Sequence, residues 1–300
     1  MADWPVKQRE LHNHHFDSTV WNDFRFRDDD IIVGTYAKCG TTWTQQILGQ
    51  LLFAGRDDLA VHEVSPWLDL RVPPAPVKLA ALEAQSHRRF IKTHLPVDAL
   101  VFSPRAKYLY VARDGRDVLW SLYNHHMTAN DMWYGAMNDT PGLVGPRIEK
   151  PNADIRQYFL EWLEYDGYPF WSFWDNIRSW WHIRDLPNVK LLHFDGLKRD
   201  LAGEMRGIAG FLDIDIDAAT FPTQVEHCTF AWMKAHANIT APLGGIMWNG
   251  GADSFIHKGT NGRWKDSLTK AEVTAYEQRA VKELGEDCAK WLANGSTTVM

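Results

Sequence analysis

A chain of 300 residues has room for one large α/β domain or two small ones, and 45% hydrophobic with 23% charged residues is the balance of an ordinary globular protein. A net charge of −6 excludes a generic nucleic-acid or anionic-membrane binder, so any bound anion must be held by a local cluster of donors. Three widely spaced cysteines, Cys39, Cys228 and Cys288, include no C-x-x-C pair and support neither a disulfide framework nor a cysteine zinc site.

The first residues, MADWPVKQRELHNHHFD, contain no apolar signal core, and no run approaches the roughly 18 apolar residues of a membrane span. A reducing cytoplasm is the expected location. Residues 1–28 read as an N-terminal segment of a single domain that covers 1–300. A first strand is expected in "DIIVGTY" (30–36), a short apolar run of the kind buried on both faces. A helix follows in "TTWTQQILGQLLF", with Ile47, Leu48, Leu51 and Leu52 on one face. Residues 64–78, with Pro66, Pro73, Pro74 and Pro76, read as a loop or lid. Strands are expected in "RFIKTHL" (89–95) and "KYLYVAR" (107–113). They precede a helix, "DVLWSLYNHHM", that repeats Val118, Leu119, Leu122 and Tyr123 at helical spacing.

Residues 127–152, rich in Met, Gly, Asn, Asp and Pro, read as a long irregular excursion. The segment from Trp162 to Trp181 gathers many of the 15 tryptophans. Large aromatics there fill a core or line a pocket, and Phe173, Ile177, Trp180 and Trp181 mark a helix face. A fourth strand lies in "VKLLHFD" (189–195). Residues 237–263 are glycine-rich without either period, and Lys270 to Leu292 read as one surface helix. Strands alternating with helices indicate an α/β fold with a central parallel sheet flanked by helices. The long loops 64–78, 127–152 and 237–263 are expected to shape a site.

Four segments carry chemistry. "GTYAKCGTTW" (34–43) joins the first strand to a helix, whose first N–H groups lack intrahelical partners and whose dipole favours an anion. Gly40 permits close backbone approach, Thr41 and Thr42 add hydroxyls, and Lys38 adds a cation. The lysine precedes the second glycine, whereas in a nucleoside-triphosphate P-loop it follows it. In "KTHLP", Lys92 and His94 stand two apart at a strand's end and so point to one side. That pair suits an electrophilic stabiliser and a general base. In "YVARDGRDVLWSLYNHH", Arg113 ends a strand and Ser121 lies eight residues on; an arginine fork there suits a second phosphate. The alternative for Arg113 is an ion pair with Asp114 or Asp117. In "FIHKGTNGRWKDSLT" (255–269), Lys258 and Gly259 form a basic loop able to close over an anion.

In this order the segments resemble the cytosolic sulfotransferases that use 3′-phosphoadenosine 5′-phosphosulfate (PAPS), and more closely a bacterial aryl-sulfotransferase-like member. "TYAKCGTTW" is similar to T-Y-P-K-S-G-T-T-W, "ARDGRDVLWSLY" to R-x-x-x-D-V-x-x-S-x-Y, "TFAWMK" (229–234) to S-F-x-x-M-K and "HKGTNGRWK" to R-K-G-x-x-G-x-W-K. "KTHLP" matches the segment of the catalytic lysine and histidine, and the matches span 35 to 269. The resemblance implies a fold related to P-loop nucleotide kinases and metal-free transfer of a sulfuryl group to a small acceptor. It implies that Lys38, Cys39, Gly40, Thr41 and Thr42 grip the 5′-phosphosulfate and that Trp43 stacks on adenine, with Thr229 and Phe230 beside it. Arg113 and Ser121 would hold the 3′-phosphate with Lys258 and Gly259, and Phe255 and His257 are also expected among the cofactor-binding residues. His94 would be the base, with Lys38 and Lys92 assisting at the sulfuryl group.

Several positions depart from the pattern. Ala37 replaces proline, and Cys39 replaces serine; beside Lys38 and a helix start it is expected to be a low-pKa, oxidisable thiol. His257 replaces arginine, which makes phosphate binding weaker and pH-dependent. Phe194 stands in place of tyrosine. In the family's dimer motif Lys270 replaces valine and Thr274 replaces glutamate, leaving monomer and homodimer both open. Trp67, Trp133, Tyr134 and Trp248 indicate an apolar acceptor pocket, best matched by phenols, with steroids, other alcohols and amines as alternatives. His125 and His126 either line that pocket or are surface residues. "HNHH" (12–15) is not read as a metal site. The competing classes are a metal-dependent nucleotide kinase, which ATP with Mg²⁺ would stabilise where PAP would not, and a silent PAP-binding protein, which would transfer no sulfate.

Overall fold

The computed structural model describes residues 4–151, 154–168 and 170–296. Four strands, β1 (Ile31–Thr35), β2 (Phe90–Thr93), β3 (Lys107–Ala112) and β4 (Val189–His193), lie inside the four expected runs. They form one sheet in the order β2-β1-β3-β4. Every pairing is parallel: Ile31 lies opposite both Phe90 and Lys107, and Tyr108 opposite Val189. β1 is buried at each position, as is β3 beyond Lys107. Alternate residues therefore enter two different cores, and the run looks uniformly apolar. Ile32, Tyr108 and Tyr110 join the core that holds most of the tryptophans. Ile31, Val33, Leu109 and Val111 join the other.

Helix α1 (Thr41–Leu52) covers the second face with Ile47, Leu48 and Leu51. On the same chain follow α2 (Gly115–Thr128), α3 (Asp131–Asn138), α4 (Ile155–Glu164) and α5 (Phe173–His182). Trp162, Trp174 and Trp180 are fully buried, so the aromatic segment is mainly core. Trp180 stacks on Tyr110 at 5.0 Å, and its indole N–H donates to the Leu95 carbonyl at 3.1 Å. The Trp180 ring lies where a Gly34 Cβ would stand, 2.6 Å from it. Gly34→Ala is therefore expected to lower stability by about 1–3 kcal/mol through overpacking, read as a drop in Tm; an unchanged Tm would show that the ring can yield.

Three expectations about segments change. Residues 64–78 are not all loop, because a helix starts at Ala75 behind Pro74 and runs to Glu83. Residues 127–152 include α3, whose N-cap Asn130 side chain accepts from the N–H groups of Met132 and Trp133. The expected helix from 270 to 292 is two, α7 (Lys270–Leu284) and α8 (Glu286–Asn294), with α6 (Phe230–Ala235) preceding them. The break is Gly285, whose φ of 78° and ψ of 164° leave the helical region. Among the described residues no helix is long and apolar enough to cross a membrane.

Candidate active site

The carboxyl ends of β1, β2 and β3 open on one cavity of about 460 Å³, as expected for the crevice of a parallel sheet. After β1 the chain turns through two positive φ angles, 67° at Lys38 and 109° at Gly40, and enters α1. Gly40 is the N-cap and no side chain caps the helix, so its first-turn N–H groups stay uncapped at the cavity wall that Gly40, Thr41, Thr42 and Trp43 line. The Thr41 hydroxyl lies 2.7 Å from that of Thr35. Trp43 is fixed by its indole N–H, which donates to the Cys228 carbonyl at 2.7 Å, and by the edge of Phe194 at 5.3 Å.

From β2 come Lys92 and His94, both lining the cavity. His94 is buried, and its Nδ1 lies 2.7 Å from the Thr35 carbonyl and 3.0 Å from the Thr35 hydroxyl. A carbonyl only accepts, so Nδ1 carries the proton and Nε2 of the neutral ring keeps its lone pair. Burial, then the Lys92 charge, holds the imidazole well below its usual pKa and so neutral. Asn176 Nδ2 donates to the His94 carbonyl at 2.9 Å. Lys92 sits over the Trp67 ring at 4.3 Å. Trp67 is placed by a bridge to β2 and by its N–H bond to buried Asp69, which also accepts from Thr93 and Trp21.

Arg113, at the end of β3, is buried, and its guanidinium lies 4.2 Å from the Phe194 ring centre. It donates to the Asn261 side-chain oxygen at 2.6 and 2.9 Å, to the Thr260 carbonyl at 3.1 Å and to the Lys38 carbonyl at 3.3 Å. The ion pair open from sequence does not form: Asp114 pairs with Arg116 at 2.6 Å, and Asp117 accepts from the Gly262 N–H at 2.6 Å. Asn261 also donates to Asp195. One buried arginine thus joins the backbone of the β1–α1 loop to the glycine-rich loop at 260–261. Ser121, two turns into α2, lines the same end with His257, Lys258, Gly259 and Arg263. Gly259 (φ 61°) lies against Phe230, whose ring a Cβ would meet at 2.5 Å.

This end of the cavity is positive although the chain is acidic. Burial, then Lys92 and Arg113, lowers Lys38 to about 7; burial lowers Lys92 to about 8 against the pull of Asp69. Burial, with Arg263, Lys258, Lys234 and Lys38, lowers His257. The other end is aromatic, walled by Trp67, Trp133, Phe170, Trp171 and Trp248. Tyr134 is not in that wall; its hydroxyl donates to the His126 carbonyl at 2.9 Å. His125 and His126 are wall residues rather than surface ones, and so is His15. His125 Nδ1 lies 3.2 Å from Lys38 Nζ, which also faces the Phe255 ring at 4.9 Å.

Two expected contributors sit elsewhere. The Cys39 side chain is fully buried in the core and outside the cavity lining, and burial pushes its thiol up to about 12. The expected oxidisable low-pKa thiol is therefore corrected: the helix start favours an anion, but a dry core costs the thiolate more. The Thr229 hydroxyl is used as the N-cap of α6, accepting from the Trp232 N–H at 3.2 Å, and lies outside the lining. Sequence reasoning missed Asn261, Arg263, His15, Thr35 and Asn176. Asn261 and Arg263 lay within a quoted motif, but nothing local marked the side chains that Arg113 would meet.

Residues 28–288 match the family model described as the Sulfotransferase domain. The chain is 31% identical to the glycolipid sulfotransferase of Mycobacterium tuberculosis (strain ATCC 25177 / H37Ra), over 93% of this chain and 92% of that one. It is 30% identical to sulfotransferase 1 family member D1 of Rattus norvegicus, over 89% and 88%. Its fold is similar to that of mouse sulfotransferase SULT7A1 complexed with PAP, at a TM-score of 0.70 and 21% identity over 91% of each chain. It is also similar to retinol dehydratase in a complex with retinol and PAP, at 0.69 and 21% over 89% and 84%. A domain match over most of the chain, with relatives alike along nearly their whole length, means that the chain belongs to the sulfotransferase family, the PAPS-dependent enzymes that its motifs resemble.

Proposed function

We propose that this sulfotransferase moves the sulfuryl group of PAPS to the hydroxyl of a phenol, with His94 as the general base. The observation that carries the proposal is the tautomer of His94: Nδ1 is held by the Thr35 carbonyl at 2.7 Å, leaving Nε2 able to accept a proton in the cavity. The cationic end fits PAPS. Gly40, at a φ of 109°, adds no side chain to the cavity wall that a phosphate would approach, and Arg263 lines the same end. Lys38, Gly40, Thr41 and Thr42 would hold the 5′-phosphosulfate. Arg113, Ser121, His257, Lys258, Gly259 and Arg263 would hold the 3′-phosphate, and Trp43 and Phe230 would flank the adenine.

PAPS supplies an activated sulfuryl group on a phosphate leaving group. His94 Nε2 takes the phenolic proton. Lys38, Lys92 and the uncapped N–H groups of α1 supply preorganised positive potential where the departing phosphate gains charge. The tryptophan-lined end accepts a flat apolar ring, and a phenol, with a pKa of about 10 as in tyrosine, yields its proton more readily than an alkyl alcohol. A second acceptor class, an amphipathic lipid alcohol, is favoured by the cavity's lip. Leu243 there is 53% exposed, and Ile246 (56%) and Met132 (57%) are neighbours through the Asn130 bond to the Ile246 carbonyl. The mycobacterial relative is named a glycolipid sulfotransferase.

The test is transfer of radiolabelled sulfate from PAPS across phenols, steroids, lipid alcohols and amines. Phenols are expected to give the highest kcat/KM. Labelling of lipid alcohols alone would favour the second class, and no labelling of any would remove both.

A pH effect follows from the two depressed lysines, at about 7 and 8. Between pH 7 and 9 part of the unliganded protein has lost these protons, and a bound anion restores them. PAP binding should therefore take up protons and weaken as pH rises through that window, being strongest near pH 7. Calorimetry in buffers of different ionisation enthalpy measures the uptake; a pH-independent Kd with no buffer dependence would count against both lysines as anion ligands.

A further inference from the structure

The aromatic end of the cavity is built from separate pieces of chain. Residues 66–70 are anchored on β2: Trp67 bridges Lys92, the Lys92 N–H donates to the Pro66 carbonyl at 2.9 Å, and the Leu68 N–H donates to the Lys92 carbonyl at 3.2 Å. The N-terminal segment lies beside them, with Phe16 bridging Leu70 and the Arg71 N–H donating to the His15 carbonyl at 2.7 Å. A third piece is α3, which supplies Trp133, Ala136 and Met137 to the wall. Trp133 and Met137 are buried in a small cluster with Ala129, Ile148 and Trp248, apart from both cores of the sheet.

One side chain ties the three pieces. Arg71 donates through Nε and Nη2 to the His14 carbonyl at 3.2 and 3.1 Å, and through Nη2 to the Met137 carbonyl at 2.6 Å. Through Nη1 it donates to the Thr140 and Pro141 carbonyls at 3.2 and 3.1 Å. A guanidinium has five N–H donors, so each is used, and all of these partners are main-chain carbonyls. Met137 stands in the last turn of α3, where carbonyls lack intrahelical partners and the dipole favours a cation. Arg71 is not among the lining residues, whereas Leu70 and Val72 on either side of it are.

We infer that Arg71 is a positioning residue for acceptor selectivity: it fastens the α3 wall to the β2-anchored segment that carries Trp67, and so sets the width of the aromatic end. Trp67 itself packs against His94 at 4.5 Å, so this width is measured from the base. Apolar contact is non-directional and lets α3 slide against its neighbours. Directed bonds from a planar, preorganised fork fix its place. A slot held at one width favours flat rings, and a wall free to part loses that preference. The cofactor end has its own tie, Arg113 to Asn261, and Arg71 shares no hydrogen bond with it.

The inference rests on the reading of the aromatic end as the acceptor site, and the test separates the two. Rates at saturating PAPS are measured for 2-naphthol, which is flat, for 4-cumylphenol, whose two rings meet at a tetrahedral carbon, and for 1-decanol. Arg71→Ala is expected to raise the KM for 2-naphthol about tenfold or more, the scale of losing hydrogen bonds to a charged group. Its kcat should stay near wild type, the pattern of lost ground-state binding. The preference for 2-naphthol over 4-cumylphenol should narrow, and calorimetric PAP affinity should not change. A folded Arg71→Ala enzyme that keeps the wild-type KM or the wild-type preference overturns the inference. An equal loss of PAP affinity overturns it too, because Arg71 then supports the whole fold and not the acceptor wall. Should Arg71→Ala fail to fold, Arg71→Lys decides: an ammonium with three donors cannot copy the fork, so a KM within about twofold of wild type overturns the inference. Labelling of 1-decanol without labelling of either phenol overturns the phenol reading, and the inference then stands or falls on the same KM comparison for 1-decanol. Labelling of none of the three overturns both.

Discussion

Replacing His94 with alanine is expected to lower kcat by roughly 10²–10⁴-fold, the usual scale for removing a general base, while PAP still binds. The separation of effects is the informative part. The His94 ring contacts Thr35, Trp67 and Trp171 at the acceptor side of the cavity, and none of the residues around Arg113 depends on it. His94→Gln should be nearly as slow, since an amide keeps the bond to the Thr35 carbonyl but is no base. Turnover within a few-fold of wild type in either variant would remove His94 from the chemistry. A parallel loss of PAP affinity would mean that the ring organises the phosphate loop through Thr35 and Thr41 instead.

Arg113→Ala should have the opposite signature, weakening PAP binding on the order of a hundredfold or more, the range for removing one partner of a buried charged pair. The variant loses a cation at the phosphate end and also the hydrogen bonds that hold Asn261, the Thr260 carbonyl and the Lys38 carbonyl together. Unliganded stability should fall too, by about 1.5–3 kcal/mol, the scale of a buried hydrogen bond to a charged group. Arg113→Lys should rescue little, because an ammonium cannot reproduce the fork that reaches Asn261 through two nitrogens. Calorimetric PAP affinity with a thermal melt of the free protein measures both effects. Unchanged affinity with reduced stability would make Arg113 a purely structural tie.

The four strands were legible because each is a short run buried on both faces, and in a parallel sheet such burial leaves a continuous apolar signature. The strand-loop-helix order of "GTYAKCGTTW" was legible for a similar reason, since turn and helix start are local events set by Gly40 and the residues beside it. The Asn130 cap before α3 was present in the sequence but was outweighed by the flexible composition around it. The break at Gly285 was likewise local and overlooked, because the apolar spacing continues across it into α8.

Residue types and their order along the chain therefore determined the fold class and a candidate set of site residues, two lysines and a histidine for catalysis and an arginine for the cofactor, since these rest on local periodicity and motif spacing. Which atoms those side chains would meet was decided by the tertiary structure alone. Cys39, next to the catalytic candidate Lys38, turned into a core where its thiolate is disfavoured, and Thr229 spent its hydroxyl on a helix cap. Arg113 chose Asn261, 148 residues away, over the aspartates beside it. His126, ambiguous as a letter in a helix, became a buried nitrogen without a partner. Burial and long-range hydrogen bonding set proton affinity and side-chain pairing, and both depend on which distant segments the sheet brings to the ends of its strands.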